Sequence, residues 1–122
     1  MIDFKNGALI KLHKALVQPK DVEALLIPNE NIVGTYQGVR DYVTFTNKRI
    51  ISVNVQGLTG KKKDYTSLPY SKVQAFSVET SGNFDLDSEL ELYFSSLGKV
   101  KFEFSGACNI VEIGKTISQY IL

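Results

Sequence analysis

The segment ELELYFSSLGKVKFEF (residues 89–104) most constrains the fold, because apolar and polar side chains alternate along two short runs. Alternation with a period of two predicts antiparallel strands with one buried face and one solvated face. We expect Phe94 opposite Val100 and Leu92 opposite Phe102, with a short loop that ends at Gly98. The chain must therefore bury one face of a β-sheet against a core.

Strand-length patterns separated by turn residues continue through residues 31–105, and they predict about seven strands. These are IVGTYQGV, RDYVTF, RIISVNV, a short piece near Tyr65, VQAFSVET, ELELYF and KVKFEF. Residues 109–122 instead repeat isoleucine at helical spacing, which predicts a helix with one apolar stripe. That stripe should lie on the sheet or across a barrel mouth.

The N-terminal part of the chain also predicts helix. The apolar residues of 8–17 fall on one broad arc of a helical wheel, and Pro19 then opens a second short helix over 20–27. We therefore expect one domain made of an N-terminal helical extension (1–28), a β-barrel (31–105) and a C-terminal capping helix (109–122). The predicted fold is mainly β, or α+β by element count.

Composition narrows the classes of function. The 122 residues carry 14 basic and 13 acidic side chains, a net charge of +1, so we expect no nucleic-acid partner. A single cysteine, Cys108, forms no intrachain disulfide and completes no zinc set. Asp3 and early lysines interrupt any apolar signal core, and we expect a cytoplasmic protein.

Several stretches together resemble the small bacterial pleckstrin-homology (PH) family. They are Leu26-Ile27-Pro28-Asn29-Glu30, Arg40-Asp41, Phe45 to Ile51 with the central TNKRI, Lys63-Asp64-Tyr65, Leu68 to Val73 with PYSKV, and Phe76 to Thr80. The resemblance covers roughly residues 25–122. It implies a PH-like barrel, a partly open structure of seven antiparallel strands in two orthogonal sheets, capped by the C-terminal helix.

The resemblance also implies assembly. Members of this family look like cyclic, dome-shaped homo-oligomers in which neighbouring barrels meet edge to edge, most simply as pentamers. Relatives with larger rings carry a helical hairpin after the last helix, and this sequence ends at Leu122, so the pentamer is the expected size. Protein–protein interaction is the function that the resemblance implies, with an unidentified protein as a further partner.

The polar quartet Thr46-Asn47-Lys48-Arg49 has two interpretations. Asparagine tolerates the left-handed backbone of a tight turn, so the quartet can simply connect two strands. Alternatively, the Arg49 guanidinium binds a carboxylate of a neighbouring protomer or partner. The predicted partner or oligomer surface comprises Arg40, Asp41, Asn47, Lys48 and Arg49.

A second candidate site is the lysine run Lys61-Lys62-Lys63, which follows two glycines in a predicted loop. It could collect anions, and together with the amphipathic N-terminal segment it supports an alternative function as a monomeric module for membrane surfaces or anionic ligands. Lipid-binding PH domains instead place their basic cluster between the first two strands. Here that connection is the short Gly38-Val39-Arg40-Asp41, so phosphoinositide binding is disfavoured.

The sequence offers no pattern for catalysis, metal binding or cofactor binding. Asp85, Asp87 and Glu89 alternate on a strand, but Leu90 and Ser96 occupy the positions where a calcium loop needs glycine and glutamate. His13 and Cys108 have no recognisable catalytic neighbours in the sequence. We therefore predict a protein that is not an enzyme and needs no cofactor.

Overall fold

The computed structural model describes residues 9–80, 87–106 and 110–122, and within them the fold is mainly β. The described strands are β1 (Leu9–Lys14), β2 (Ile32–Gln37), β3 (Tyr42–Thr46), β4 (Arg49–Gln56), β5 (Lys62–Pro69), β6 (Val73–Thr80), β7 (Ser88–Phe94) and β8 (Gly98–Phe104). The helices are α1 (Lys20–Glu23) and α2 (Ile110–Ile121), with a 3₁₀ turn at Tyr70–Lys72.

The strands form one open sheet in the order β5-β4-β3-β2-β1-β8-β7-β6. All described pairs are antiparallel except β1 with β8, which run parallel. The sheet is open between its two terminal strands, β5 and β6, which follow one another in the chain through the 3₁₀ turn. A mainly β fold with a C-terminal helix is thereby confirmed, and the predicted strand number rises from seven to eight.

The additional strand corrects the predicted N-terminal helix. Residues 9–14 form β1, and the second predicted helix shrinks to the four residues of α1. The apolar residues of this segment miss simple alternation because Lys11 has a φ of 53°, and the register against β8 shifts between Leu9 and Leu12. A β-bulge inserts one extra residue, so the alternation of buried and exposed side chains shifts by one position. The resulting spacing of apolar residues in the sequence resembles that of a helix.

The β7–β8 hairpin is present, but its predicted register is wrong by two residues. Phe94 pairs with Gly98, Leu92 with Val100 and Leu90 with Phe102. The loop contains only Ser95, Ser96 and Leu97, and Gly98 closes it with a φ of 87°. Because a strand repeats every two residues, this shift leaves every side chain on its predicted face.

The main core lies between the curved sheet and α2. Ile113 and Ile117 of α2 are buried against it, whereas the predicted cap at Asn109 lies outside the described residues. The buried sheet residues of this core are Leu12, Val43, Phe45, Ile50, Leu68, Leu90, Leu92, Phe94, Val100, Phe102 and Phe104, and Tyr70 joins them from the 3₁₀ turn. The helical stripe was thus predicted correctly at its two buried positions.

A second, smaller cluster lies on the other face of the sheet. Val22 of α1 is fully buried against Ile51 and Val53 of β4, with Leu26 and Tyr42 at the margin. The segment 15–31, here called the strap, therefore crosses the outside of the sheet rather than extending away from it. This packing places the acidic residues of the strap beside β3, β4 and β5.

Candidate functional site

The turn between β3 and β4 is built around Thr46 and Asn47. The Thr46 hydroxyl accepts hydrogen bonds from the backbone N–H groups of Lys48 and Arg49, each at 3.0 Å. The Asn47 amide accepts from the backbone N–H of Asn31 at 2.8 Å and donates to the carbonyl of Asn29 at 3.0 Å. The quartet does turn the chain, but the Thr46 hydroxyl holds the turn. Asn47 lacks the expected left-handed backbone, and its amide instead anchors the end of the strap.

Arg49 uses its guanidinium inside its own chain. Nε donates to Glu30 Oε2 and Nη2 to Glu30 Oε1, each at 2.9 Å. Nη2 also donates to the Leu25 carbonyl, and Nη1 to the Ser67 hydroxyl, each at 2.9 Å. Arginine suits this site because its planar fork meets a carboxylate at two points.

Glu30 is the buried partner of this arrangement. Its side chain is fully shielded from solvent, and it accepts further hydrogen bonds from the Thr46 hydroxyl at 2.7 Å and the Ile27 backbone N–H at 3.1 Å. Burial acts to raise the pKa of Glu30, but these hydrogen bonds and the Arg49 charge outweigh it and hold the pKa below its ordinary value. Glu30 was not predicted as a functional residue, since no local motif marks a carboxylate whose partner is 19 residues away.

Arg40 and Asp41 lie at the opposite end of β3 from the quartet. Arg40 donates to the Gly57 carbonyl of the β4–β5 loop, while Asp41 accepts from the Val55 backbone N–H at 2.9 Å and the Asn54 amide at 3.1 Å. Asn47 follows Asp41 by six positions along extended chain, a separation of about 20 Å. The structure therefore does not bring the five predicted surface residues into one patch.

The lysine run is divided by the start of β5. Lys61 and Lys62 are exposed, whereas the Lys63 ammonium lies 3.3 Å from Asp21 Oδ2 and 3.3 Å from the Tyr42 hydroxyl. Only the first two lysines therefore keep charges without an ion-pair partner among the described residues. The run borders the Gly57–Gly60 loop, as its sequence predicted.

Asp21 collects donors from two strands and was missed by the sequence reasoning. Its Oδ2 accepts from the hydroxyls of Tyr42 and Tyr65, the latter at 2.7 Å, as well as from Lys63. Burial acts to raise the pKa of Asp21, but these hydrogen bonds outweigh it and lower the pKa. Together, Asp21 and Glu30 fasten the strap to the sheet at two points.

The described residues offer little for catalysis or cofactor binding. A groove of about 210 Å³ between β2 and α2, lined by Lys14, Tyr36, Phe45, Glu112 and Ile113 among others, is smaller than typical ligand pockets. No group of three or more metal-binding side chains occurs among the residues of 9–80, 87–106 and 110–122. Cys108 and Asp85 lie outside these ranges.

Within the described residues, none of the helices has the length and apolar character needed to cross a membrane.

Comparison with known proteins identifies the family. The family model for the bacterial PH domain matches residues 3–121. The chain is similar to two uncharacterised proteins of Bacillus subtilis. YjqA is 40% identical over 119 residues, 96% of this chain and 94% of that protein. YozO is 32% identical over 102 residues, 84% of this chain and 88% of that protein.

Two crystal structures give the same result. A protein with a pleckstrin-homology domain from Shewanella loihica superposes with a TM-score of 0.76 at 35% identity, covering 95% of this chain and all of that one. A pleckstrin-homology domain from Shewanella amazonensis gives a TM-score of 0.65 at 40% identity, covering 84% of each chain. The chain belongs to the bacterial PH domain family.

Proposed function

We propose that this protein is a cytoplasmic, non-enzymatic protein–protein interaction module that assembles with itself into a cyclic ring, with a pentamer as the favoured size. The ring would present a repeated polar surface to a further protein. Both the ring and its size rest on the family resemblance set out above. The observation that carries the proposal is the open sheet, whose terminal strands β5 and β6 have no further strand partner among the described residues.

Open strand edges favour self-association. An edge presents unpaired N–H and C=O groups, and natural proteins cover such edges or pair them with another chain. Two different edges on one protomer allow a head-to-tail contact, which closes into a ring when the rotation between neighbours permits it. Both edges belong to strands of eight residues, long enough for an extended contact.

The predicted polar surface divides into two parts under this proposal. Lys48 is exposed and makes no side-chain hydrogen bond or ion pair with the described residues, so it is the cation of the β3–β4 turn available to a partner. Arg49 and Asn47 would hold that turn in shape, and Arg40 and Asp41 would form a separate polar region at the far end of β3. The direct contact we propose is therefore made by Lys48, with Arg49 positioning it.

The first test is solution mass by size-exclusion chromatography with light scattering across a dilution series. Five chains of 13.6 kDa should give a stable particle of about 68 kDa. A 13.6 kDa monomer at every concentration would contradict self-assembly. If the particle forms, Lys48→Glu should leave its mass unchanged, because that side chain is proposed to contact a further partner.

A second candidate function is favoured by two fully exposed apolar side chains. Val39 in the β2–β3 connection and Leu58 in the β4–β5 loop are 98% and 107% exposed, and the Arg40–Gly57 hydrogen bond ties the two connections together. With Lys61 and Lys62 nearby in sequence, they support the alternative of a monomeric module on anionic membranes. The helical half of that alternative is corrected, because residues 9–14 form β1.

Vesicle co-sedimentation tests this second candidate. Binding to vesicles of anionic lipid should weaken as salt rises and should fall with Lys61→Glu or Leu58→Ser. Equal sedimentation of the wild type with neutral and anionic vesicles, or no sedimentation with either, would contradict it. Lys72→Glu, a charge reversal on the 3₁₀ turn, serves as the matched control.

A further inference from the structure

The groove between β2 and α2 exists because the helix packs unevenly on the sheet. Helix α2 packs mainly on β6, β7 and the 3₁₀ turn, and a Cβ atom added at Gly114 would crowd Val78 of β6. Towards β2 the helix leaves a cleft of about 210 Å³, into which Gly34 projects no side chain. The walls of the groove are therefore regular secondary structure, which holds a binding site in a fixed shape.

A bulge in β2 shapes the mouth of this groove. The β2–β3 register shifts between Ile32 and Gly34, and Val33, Gly34 and Tyr36 all line the groove. Successive side chains of a regular strand point to opposite faces, so Val33 reaches the groove beside Gly34 because of the bulge. Val33 remains exposed there, and an apolar side chain stands open to solvent at the mouth.

The floor of the groove is aromatic. Tyr36 contacts Phe45 edge to face, with ring centroids 5.7 Å apart, and Ile113 of α2 closes the other side. A further ring would extend this cluster, because aromatic side chains favour edge-to-face contacts. A cavity of about 150 Å³ holds a benzene molecule, so a groove of about 210 Å³ has room for one aromatic side chain but not for a large cofactor.

The two sides of the groove carry opposite charges. Lys14 pairs with Tyr36 across β1 and β2, which places both on the same face of the sheet. The Lys14 side chain is exposed and has no ion-pair partner among the described residues. Glu112 lies on the α2 side. A bound carboxylate is therefore attracted to the β1 side of the groove and repelled from the α2 side.

Exposed apolar side chains continue from the groove along the start of the strap. The Ala15 backbone N–H donates to the Thr35 carbonyl at 2.9 Å, which keeps the chain beside β2 just past Lys14. The next two side chains, Leu16 and Val17, are 99% and 78% exposed. Single exposed apolar residues are ordinary, but apolar groups gathered around a groove are typical of a protein-binding surface.

We propose that the β2–α2 groove binds a segment of a partner protein in which an aromatic side chain stands next to an acidic residue. The aromatic ring enters the groove above Tyr36 and Phe45, and the acidic side chain pairs with Lys14. The rest of the segment passes over Leu16. The inference goes beyond the proposed function, because the groove lies within one protomer and its use requires no self-assembly.

Peptide titration followed by two-dimensional NMR of the isotope-labelled protein tests the proposal. The probe acetyl-Gly-Asp-Phe-Asp-Gly-amide should shift the backbone amide signals of Gly34 and Thr116. Alanine in place of its phenylalanine should weaken binding at least about tenfold, because the buried ring is lost. Asparagine in place of both aspartates should weaken binding about threefold, and only the aspartate peptide should lose affinity markedly as salt rises.

Variants of Lys14 and Gly34 test the two parts of the groove. Lys14→Glu should weaken binding of the aspartate peptide about tenfold and should favour acetyl-Gly-Lys-Phe-Lys-Gly-amide instead, because attraction and repulsion are exchanged. Lys20→Glu, an exposed reversal on α1, is the matched control and should change neither affinity. Gly34→Val should abolish binding by filling the groove. A Cβ atom at this position meets only the Tyr36 side chain, at 3.5 Å, so we expect β2 to keep its fold.

Two further measurements distinguish other occupants. Phenylacetate carries a ring and a carboxylate without a peptide backbone, and it should bind at least about tenfold more weakly than the aspartate peptide. Equal affinity would assign the groove to a small aromatic acid and overturn the proposal. Signals of Gly34 and Thr116 that shift on dilution without peptide would assign the groove to a second copy of this chain and would also overturn it.

The exchange of charge decides the outcome even where Gly34→Val fails to fold. Shifts at the groove that require both the ring and the aspartates, with the preference inverted in Lys14→Glu, support the proposal. No shift at millimolar peptide, shifts confined to other residues, or an unchanged preference in Lys14→Glu would overturn it. Solution mass separates this inference from the proposed function, since a monomer that binds the peptide contradicts the ring and a ring without peptide binding contradicts the groove.

Discussion

Arg49 and Glu30 meet at two points, with Nε on Oε2 and Nη2 on Oε1, each at 2.9 Å, and the carboxylate is fully shielded from solvent. The pair joins the end of the strap to the first residue of β4. Because Arg49 also reaches the Leu25 carbonyl and Ser67, one side chain links the strap, β4 and β5. A residue predicted as a surface contact thus also has a structural role.

Replacing Arg49 should destabilise the fold, because Glu30 would remain buried without its cation. We expect Arg49→Ala to lower the free energy of unfolding by about 2–4 kcal/mol, because it leaves a buried carboxylate without its cation. Urea denaturation followed by circular dichroism measures the change. Lys48→Ala, the adjacent exposed lysine, should change stability by less than about 0.5 kcal/mol. Equal stability of the two variants would contradict the structural role of Arg49.

Stability should fall at acid pH through Asp21 and Glu30. Both pKa values lie below their ordinary values of 3.8 and 4.5 in the folded protein. A carboxyl group whose folded pKa is lowered stabilises the fold above its unfolded pKa, and this contribution disappears as pH falls through the folded pKa. We therefore expect the free energy of unfolding to decline below about pH 5.

Two aspartate variants isolate the contribution of Asp21 to this decline. Denaturation of Asp21→Asn between pH 7 and pH 3 should show a shallower decline than the wild type. The exposed Asp87→Asn should follow the wild-type curve. An unchanged slope in Asp21→Asn would argue against the hydrogen bonds from Tyr42, Tyr65 and Lys63.

The Tyr65 hydroxyl should lose its proton at a higher pH than an ordinary tyrosine does. Its hydrogen bond to Asp21, helped by burial, raises the pKa of Tyr65 to about 12. Ultraviolet titration of the wild type minus Tyr65→Phe should therefore reveal a transition near pH 12. In an Asp21→Asn background the same transition should move down towards the ordinary value of 10.0. A transition near the ordinary value with Asp21 present would contradict the contact.

Replacing Gly114 with a larger residue should destabilise the fold. A Cβ atom placed on it would lie 3.1 Å from Cγ2 of Val78, so α2 approaches β6 closely at this residue. We expect Gly114→Val to lower the free energy of unfolding by about 1–3 kcal/mol through overpacking. Lys115→Val, at the exposed neighbouring position, controls for the helix propensity of valine. If Gly114→Val lowers the free energy of unfolding no more than Lys115→Val does, the close contact between α2 and β6 would not limit the size of residue 114.

The sequence predicted the parts of the fold in which local pattern and tertiary environment agree. Leu90, Leu92 and Phe94 alternate because one face of β7 is buried, and Ile113 and Ile117 repeat because one stripe of α2 is buried. The N-terminal segment was misjudged because the bulge at Lys11 breaks alternation. Local periodicity cannot report a bulge that becomes visible only in the pairing of β1 with β8, a strand far away in the sequence.

The candidate site was predictable only in part. Asn47 and Arg49 stood out as turn and fork chemistry, but Asn47 bonds the strap rather than local amides, and the Arg49 fork meets a carboxylate of its own chain. Their partners in the strap were not predictable, because the contact joins Glu30 to residues of a later strand and depends on the strap folding across the sheet. Lys63 was likewise expected in a loop as part of an anion-binding run. It lies instead in β5, where it pairs with Asp21.

The position of β1 in the sheet also determines when the sheet can be completed during translation. It is the seam between β2–β5 and β6–β8, and its pairing of Leu9 with Phe102 joins residues 93 positions apart. During translation, β1 must therefore wait for a partner strand that the ribosome produces near the end of the domain. Until then the nascent chain holds an incomplete sheet with extra open edges, so we expect the β1–β8 seam to close late and to limit the folding rate.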